Sequence, residues 1–315
     1  MGLSKCLAPS VIVACCAFGG IAHAMQAQET TAPMEVVVLG SGGPGATGRA
    51  SASYIVLIDG VARILVDAGS GAFVRLGEAK LSPADTDIVL LTHLHIDHAG
   101  ELPGLFKARA VSSSDPIDFN VWGPDGSGAQ RQGAYFPSTS RFLELLFGSN
   151  GAFAYLKDFS APITLHAHNV SAAIGPAAPH VIYERGGLTI SAIAGHHGDA
   201  PAVIYRIEHG GRSVTFSGDI DAQGIPDLTR IAKDSDLLVF NSVVLDPPGS
   251  PAVLYTLHTP PRVIGQVAGS AGVHRLLLSH LSPATDQSRV SVLSSIHQSF
   301  SGPVSLAEDG MRLAP

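Results

Sequence analysis

Three histidines and one aspartate fall within the six-residue segment His93-Leu94-His95-Ile96-Asp97-His98. Apolar residues 88–91 precede it, and a buried strand that runs into a loop gives this pattern. Alternation along a strand places His93 and His95 on one face, while Asp97 and His98 follow a turn. Imidazole and carboxylate groups suit zinc, and also iron or manganese. This density predicts a loop that serves two metal ions, rather than loop histidines that cap the following helix.

Further candidate ligands stand just beyond other short apolar runs. They are His196 and His197 after residues 188–194, Asp219 after residues 213–216, and His280 after residues 275–278. Open α/β sheets collect their functional groups beyond the carboxyl ends of the strands. We therefore expect these side chains to meet the first segment at one edge of a sheet.

Together these motifs resemble the metallo-β-lactamase superfamily. Over about residues 35–313 the local sequence is similar to the ribonuclease Z, zinc arylsulfatase and phosphodiesterase branch. The motifs that carry this likeness are Leu39-Gly40-Ser41-Gly42-Gly43, Asp67-Ala68-Gly69, His197-Gly198, Ser217-Gly218-Asp219, Ser279-His280 and Glu308-Asp309-Gly310. The resemblance implies a four-layer αββα sandwich of the α/β class, in which two mixed β-sheets are flanked by helices.

The resemblance also implies a dinuclear metal site. It assigns His93, His95 and His197 to the first metal. It assigns Asp97, His98 and His280 to the second metal, and Asp219 as the residue that bridges the two. His197 is preferred over His196 because the family's histidine precedes a Gly and then a Pro-Ala pair, so His196 is predicted to support the site. Asp67 is predicted to lie behind the site and orient a ligating histidine, with a simple turn aspartate as the alternative. Two Zn²⁺ ions are the expected cofactors, with Mn²⁺ or Fe²⁺ as alternatives.

The chemistry that the resemblance implies is hydrolysis of an ester. A hydroxide shared by the two metals attacks the substrate, and Asp97 acts both as a ligand and as the proton acceptor for the attacking water. His258, in Leu257-His258-Thr259-Pro260, resembles a phosphodiesterase histidine that donates a proton to the leaving group; a capping or surface role is the alternative. The acidic partner that the family often carries upstream is missing, and Asn241 stands near its place.

The expected substrate is a small phosphodiester or aryl sulfate ester. The alternatives are a lactone, β-lactam or carboxylic ester substrate on the same fold, or a non-catalytic zinc-binding relative. Four arginines are candidates for holding a substrate anion, although exposed arginine is the ordinary case: Arg131, Arg141, Arg185 and Arg206.

Residues 1–24 are typical of a secretory signal peptide. Lys5 is their only charged residue, an apolar stretch follows, and Ala22-His23-Ala24 offers a small-residue cleavage site. A lipoprotein anchor at Cys15 and a retained membrane anchor are the alternatives. All three cysteines precede residue 25, so a cleaved chain would have no disulfide and no cysteine ligand. We expect an exported, periplasmic or secreted protein with no stable membrane span.

Charge argues against a nucleic-acid partner. After residue 24 the chain keeps 18 of its 19 Lys and Arg residues and all 26 acidic ones, a formal charge of −8, whereas nucleic-acid binding depends on basic residues. Ribonuclease Z also carries its tRNA-binding arm between the third ligand and the bridging aspartate. Only 21 residues separate His197 from Asp219 here. We expect a small-molecule substrate and no nucleic acid, with a homodimer as an open option.

Residues 35–315 are expected to form one hydrolase domain after a flexible stretch at residues 25–34. The predicted elements are a strand at 35–39, a hairpin of 53–58 and 63–66, a helix at 71–78, a strand at 117–122, and helices near 225–234, 261–271 and 286–299. Residues 128–161 interrupt the alternation and predict two helices, broken at residues 148–151. They form either an ordinary helical pair on the sheet or a lid that supplies an aromatic pocket over the metals.

Overall fold

Fourteen strands form two seven-stranded sheets in the part of the chain that the structure describes. This computed structural model describes residues 1–2, 32–126 and 135–315, so the predicted signal peptide, Cys15, most of the stretch at 25–34 and Arg131 lie outside the described residues. In chain order the strands are β1 (Met34–Gly40), β2 (Ser53–Ile58), β3 (Val61–Ala68), β4 (Ile88–Leu90), β5 (Ile117–Pro124), β6 (Ile163–Val170), β7 (His180–Arg185), β8 (Leu188–His197), β9 (Ala200–His209), β10 (Arg212–Phe216), β11 (Leu237–Asn241), β12 (Arg275–Ser279), β13 (Val304–Leu306) and β14 (Arg312–Leu313).

Each sheet mixes parallel and antiparallel neighbours. The first has the order β14-β1-β2-β3-β4-β5-β6, and the second has the order β13-β12-β11-β10-β9-β8-β7. In the first sheet β3, β4, β5 and β6 run parallel, and in the second β10, β11, β12 and β13 do. The carboxyl ends of these parallel strands therefore lie along one edge of each sheet.

The hairpin of β2 and β3 shows how the sequence specifies this architecture. Asp59 and Gly60 turn with φ values of 51° and 82°, as a tight hairpin turn requires. Every residue of β2 is buried. Its side chains alternate between two cores because the strand has layers on both faces: Tyr54 and Val56 face the second sheet, whereas Ile55 faces the helices. The predicted hairpin is confirmed.

Helices cover the outer face of both sheets. They are α1 (Ala72–Glu78), α2 (Ile96–Ala99), α3 (Leu102–Val111), α4 (Thr139–Phe147), α5 (Ile225–Ile231), α6 (Pro261–Ser270), α7 (Pro283–Gln287) and α8 (Arg289–Ile296), with 3-10 turns at Pro83–Asp85, Ala154–Asp158 and Ala252–Thr256. On the first sheet, α1, α3, α4 and the 3-10 turn Ala154–Asp158 pack apolar side chains that enclose one core. On the second sheet, α5, α6 and α8 enclose another. With the core between the sheets, this makes four layers. The predicted αββα sandwich is confirmed.

Two predicted helices differ from the structure. The helix expected near residues 286–299 is divided into α7 and α8, because Ser288 has φ −109° and ψ 27°, outside the helical region. The second helix expected within residues 128–161 is only the 3-10 turn Ala154–Asp158. In the described ranges, no helix has the length and apolar character needed to cross a membrane.

Candidate metal centre

The predicted ligands converge where β4, β8, β10 and β12 end. Two groups of three have ligand atoms within 4.8 Å of one another: His93, His95 and His197; and Asp97, His98 and His280. Asp219 lies between the groups, with its Oδ2 3.6 Å from His197 Nε2 and 3.4 Å from His280 Nε2. The structure thus brings all seven predicted ligands together around one carboxylate.

The first segment supplies four ligands because the chain changes from strand to helix within it. β4 ends at Leu90, and His95, which directly precedes α2, has an extended backbone with φ −65° and ψ 151°. Asp97 and His98 then lie in the single turn of α2 and are buried. Extended backbone therefore presents one pair of side chains, and the helical turn presents the other pair to the second group.

Asp67 stabilises this segment from behind. Its carboxylate accepts hydrogen bonds from the Thr92 backbone N–H at 2.7 Å and the Thr92 hydroxyl at 2.8 Å, and its Oδ2 lies 2.7 Å from His98 Nδ1. Asp67 itself has φ 55°, a left-handed conformation that non-glycine residues rarely adopt. One buried carboxylate thus fixes both the end of the strand and the orientation of a histidine ring.

The donor atoms fit a metal ion. His98 Nδ1 is engaged by Asp67, while His98 Nε2 is buried and has no hydrogen-bond partner among the described residues. A histidine that is held through one ring nitrogen and leaves the other free is the usual arrangement of a metal ligand. Asp97, His98 and His280 would hold one ion on these grounds, and the three-histidine group would hold another.

The ligands on the second sheet are each stabilised separately. His197 Nδ1 lies 2.9 Å from the Leu257 carbonyl oxygen, which leaves Nε2 facing Asp219. The Asn241 side-chain amide donates to Asp219 Oδ1 at 2.5 Å. His280 has φ 52°, and its ring packs so closely on Gly43 that a Cβ there would lie 2.7 Å from His280 Cε1.

Both carboxylates of the centre are held in the ionised form. Burial alone would raise the pKa of Asp219, but His280 and His98 hold that pKa well below its usual range. Burial also opposes ionisation of Asp97, yet its hydrogen bond with His280 lowers the net pKa. Ionised carboxylates are the form that binds a metal ion.

The histidines differ in their affinity for a proton. Burial lowers the pKa of His93 and of His95, so both are neutral and ready to act as ligands. Burial acts in the same direction on His98, but the carboxylates of Asp67 and Asp219 hold the pKa of His98 well above its usual value. A metal ion that binds His98 must therefore displace a proton.

His258 lies at the border of the cluster. Its ring centroid is 5.1 Å from that of His197, and its Nδ1 is 3.9 Å from Asp219 Oδ2. Together these three residues form a further group with ligand atoms within 4.8 Å. Burial lowers the pKa of His258 to about 4, so the ring is neutral at neutral pH. A neutral imidazole still carries one N–H, which suits hydrogen-bond donation better than delivery of a full proton.

His196 points away from the cluster and pairs with Asp221, with 2.6 Å between Nδ1 and Oδ2. The same carboxylate oxygen accepts the Gly198 N–H at 3.0 Å, so Asp221 stabilises the loop on both sides of His197. Sequence reasoning did not single out Asp221, Thr92 or the contact of Asn241 with the bridging residue. Of these, Asn241 carried a usable signal, because it ends a strand of the same parallel set.

Among the described residues, the arginine candidates form no hydrogen bond or ion pair with the predicted ligands. Arg141 forms an ion pair with Glu144 on α4, and Arg206 donates to the carbonyl oxygens of Ile231 and Lys233. Arg185 is exposed at the end of β7. Arg206 therefore has a structural role, and these contacts give no support to substrate binding by Arg141.

The segment after residue 134 contacts both the sheet and the metal centre. Leu143 and Phe147 of α4 are buried in the core on the first sheet. Phe136 lies beside the centre, with its ring centroid 5.6 Å from that of His95. The part of the segment that the structure describes thus makes the contacts expected of a helix on the sheet and also supplies an aromatic wall near the ligands.

The fold and this centre define a hydrolase of the metallo-β-lactamase superfamily, and the chain belongs to that superfamily. A family model described as the Beta-lactamase superfamily domain matches residues 62–281.

Within the superfamily the chain is similar to proteins named ribonuclease Z. The one from Mycobacterium bovis (strain BCG / Pasteur 1173P2) is 29% identical over 267 residues, which cover 80% of this chain and 87% of the relative. The one from Mycobacterium sp. (strain KMS) is 28% identical over 262 residues, which cover 79% of this chain and 85% of the relative.

Solved structures show the same fold. The metallo-beta-lactamase fold protein YhfI from Bacillus subtilis aligns with a TM-score of 0.66 and 22% identity over 90% of this chain and 99% of its own. Human tRNase Z, short form, aligns with a TM-score of 0.65 and 20% identity over 89% of this chain and 99% of its own. The predicted superfamily and the likeness to ribonuclease Z are confirmed. The relatives' names give no support to a substrate other than nucleic acid, so the small-molecule expectation stays a prediction.

Proposed function

We propose that this protein is an exported dinuclear zinc hydrolase that cleaves a small ester, a phosphodiester or an aryl sulfate. The convergence of two three-ligand groups on Asp219 carries the proposal, because this mixture of imidazole and carboxylate donors suits zinc. Zinc, when bound, would supply Lewis acidity at the scissile group and a nucleophile at neutral pH. The ribonuclease Z relatives favour the phosphodiester.

Two residues of the chain are assigned to proton handling. Asp97 is ionised at neutral pH, and its Oδ2 faces the cluster, 3.2 Å from His280 Nε2. Its carboxylate is therefore suited to accept the proton of the attacking water. His258 Nδ1 lies 3.9 Å from Asp219 Oδ2, and burial lowers the pKa of His258 to about 4, so the ring is neutral at neutral pH. We assign to it a hydrogen bond to the leaving oxygen, which stabilises the charge that develops there.

The small size of the substrate is inferred from the chain between His197 and Asp219. All of this span is described, and it forms only β9 and β10 with their turns. It has no extension that would reach along a folded RNA. The formal charge of −8 after residue 24 also opposes binding of a polyanion.

The first test compares hydrolysis of several esters by the zinc-loaded protein. The substrates are bis-p-nitrophenyl phosphate, p-nitrophenyl sulfate, p-nitrophenyl acetate, nitrocefin and a precursor tRNA, with Asp97→Ala as the control. We expect the wild type to hydrolyse the phosphate or the sulfate, and we expect Asp97→Ala to abolish this turnover. Cleavage of the precursor tRNA alone would replace the small-ester proposal with a ribonuclease. Acetate or nitrocefin turnover alone would point to the carboxylic ester or lactam alternative, and two bound metals without any turnover to a non-catalytic zinc protein.

His258→Ala tests the hydrogen bond to the leaving group. We expect phosphodiesters with poor leaving groups to slow by about 10²-fold and p-nitrophenyl esters to slow little. His196→Ala is the matched control, because this neighbouring histidine pairs with Asp221 outside the ligand cluster. Equal losses on both kinds of substrate would contradict the assigned role.

Export is tested on the full-length chain in a bacterial host. We expect periplasmic protein whose intact mass corresponds to a chain that begins at Met25, in line with the cleavage site at Ala22-His23-Ala24. The lipoprotein alternative would be supported instead by a lipidated chain that begins at Cys15, together with a Cys15→Ala variant that is not processed. Full-length protein in the cytoplasm would contradict export.

A further inference from the structure

A second recess lies beside the metal-binding segment and is lined by apolar and aromatic side chains. It encloses about 650 Å³, a volume within the range of small-molecule sites. Its walls come from α1, the metal-binding segment, α3, α4 and the 3-10 turn Ala154–Asp158, and we call it the aromatic cavity. Phe73, Phe142, Leu146, Phe153 and Tyr155 are among its apolar lining residues.

The aromatic cavity is distinct from the metal centre. None of the seven predicted ligands lines it, although Leu94 and Ile96, which flank His95 in the chain, both do. Leu94 packs with the core on the helix side of the first sheet. Neighbouring side chains of an extended segment point to opposite sides, so Leu94 faces the cavity while His93 and His95 face the metal centre.

The rim of the aromatic cavity leaves apolar surface open to solvent. Ile96 is 76% exposed and Phe73 is 48% exposed. Single exposed apolar side chains are ordinary, but several grouped around a recess of this volume mark a binding site more often than a plain surface.

Lys107 gives the aromatic cavity a positive charge. Its ammonium lies 4.5 Å from the centroid of the Phe159 ring and 5.6 Å from that of Tyr155. No carboxylate of the described residues lies within ion-pair distance of it. Glu101 also lines the cavity and adds one carboxylate to it; its Oε2 accepts the Phe73 backbone N–H at 2.7 Å, and it forms no ion pair with Lys107. An ammonium that contacts aromatic faces alone remains available to an anion.

We propose that the aromatic cavity binds an amphipathic organic anion, whose ring system or chain fills the recess while its sulfonate, carboxylate or phosphate pairs with Lys107. The apolar wall accounts for the body of the ligand, and the Lys107 ammonium, which has no ion pair with any described residue, accounts for its charge. The proposal does not depend on the ester substrate of the metal centre.

Two fluorescent probes of nearly the same shape test the proposal on the full mature protein. 8-Anilinonaphthalene-1-sulfonate carries the anion, and N-phenyl-1-naphthylamine lacks it. We expect saturable binding of one molecule of each probe. Lys107→Met should weaken binding of the sulfonate by about two- to fivefold and leave the neutral probe unchanged. The same loss for both probes, or for neither, would overturn the assignment of Lys107.

Gly104→Leu tests the location of the site. Gly104 lines the aromatic cavity within α3, and a Cβ there would meet only the Phe73 ring at 3.6 Å, which is ordinary contact. A leucine is tolerated by the helix and fills the recess, so we expect both probes to bind more than about tenfold more weakly at an unchanged melting temperature. Gly77→Leu is the matched control, since it lies on α1 with nothing within 4 Å of its Cβ.

Four outcomes would overturn the proposal. The first is unchanged probe binding in Gly104→Leu, and the second is no saturable binding by the wild type. The third is loss of probe binding in Asp219→Ala but not in Gly104→Leu, because a probe with this pattern occupies the metal centre. The fourth is a dimer that sedimentation finds in the wild type and not in Gly104→Leu, which would assign the surface to a second copy of the chain.

Discussion

The two sheets supply the metal centre in different ways. The first sheet contributes four ligands from one segment after β4, and a single buried carboxylate, Asp67, stabilises that segment through three hydrogen bonds. The second sheet contributes three ligands from three separate strand ends. Each has its own stabilising contact: the Leu257 carbonyl for His197, the Asn241 amide for Asp219 and the Gly43 backbone for His280.

This difference determines how far a local change should spread. A change at Asp67 affects both the Thr92 backbone and the His98 ring, because one carboxylate contacts both of them. A change at Asn241 or Gly43 reaches one ligand and leaves the others in place. The first half of the centre is therefore a coupled unit, and the second half is a set of independent contacts.

The largest expected effect is at the residue where the two halves meet. Asp219→Ala removes the carboxylate whose Oδ2 lies within 3.4–3.7 Å of His98, His197 and His280. We expect loss of both metals, measured by elemental analysis after gel filtration, and a fall in turnover of at least about 10³-fold. Asp199→Ala, at an exposed position in the loop after β8, is the control. Two retained metals would show that the halves do not share this ligand.

Asp67→Asn tests the coupling within the first half. The asparagine keeps the shape of the side chain but loses the negative charge that orients His98. We expect metal affinity, measured by competition with a chelator, to fall by about 10- to 100-fold. Asp221→Asn is the matched variant in the second half, and it should cost less because Asp221 contacts His196 and the Gly198 N–H rather than a ligand. Equal losses in the two variants would contradict the comparison.

Gly43→Ala tests an independent contact of the second half. The added Cβ would lie 2.7 Å from His280 Cε1 and 3.0 Å from its Nδ1, so the ring must move. The backbone of His280 already has φ 52° and has little freedom to follow. We expect binding of one metal to weaken by about tenfold, while the other remains.

The control for this variant is Gly45→Ala, two residues further along the same loop. Its Cβ would meet only the end of the Thr47 side chain, at 3.2 Å. A stepwise zinc titration of both variants distinguishes loss of one site from loss of two. Simultaneous weakening of both sites in Gly43→Ala would mean that the second half is coupled after all.

The same difference explains what could be predicted from the sequence. The segment from His93 to His98 was recognisable because its ligands are contiguous in the chain, and contiguity requires no knowledge of the fold. His197, Asp219 and His280 were found because each follows an apolar run, and the resemblance to a known superfamily supplied their grouping. The hairpin at Asp59 followed from turn chemistry in the same way.

The remaining features arise from contacts between distant parts of the chain. Thr92 and Asp67 are 25 residues apart, and no local pattern shows that their side chains bond. Ser288, with φ −109° and ψ 27°, divides a stretch for which the sequence predicts one helix, and no local pattern marks the break. The close contact of Gly43 with His280 likewise depends on the loop of one sheet reaching the strand end of the other.

Asn241→Ala has the smallest expected effect and is the most specific test of independence. The Asn241 amide donates to Asp219 Oδ1, while Asp219 Oδ2 faces the histidines. Removal of the amide leaves the carboxylate buried and ionised but freer to rotate. We expect zinc affinity to fall by no more than about tenfold, with the Asp67 and Thr92 contacts intact. Combined with Asp67→Asn, the losses in free energy should add if the two residues act only through the separate ligands that they contact, His98 and Asp219. A double variant that loses clearly more or less than this sum would show that the two halves of the centre are coupled through Asp219.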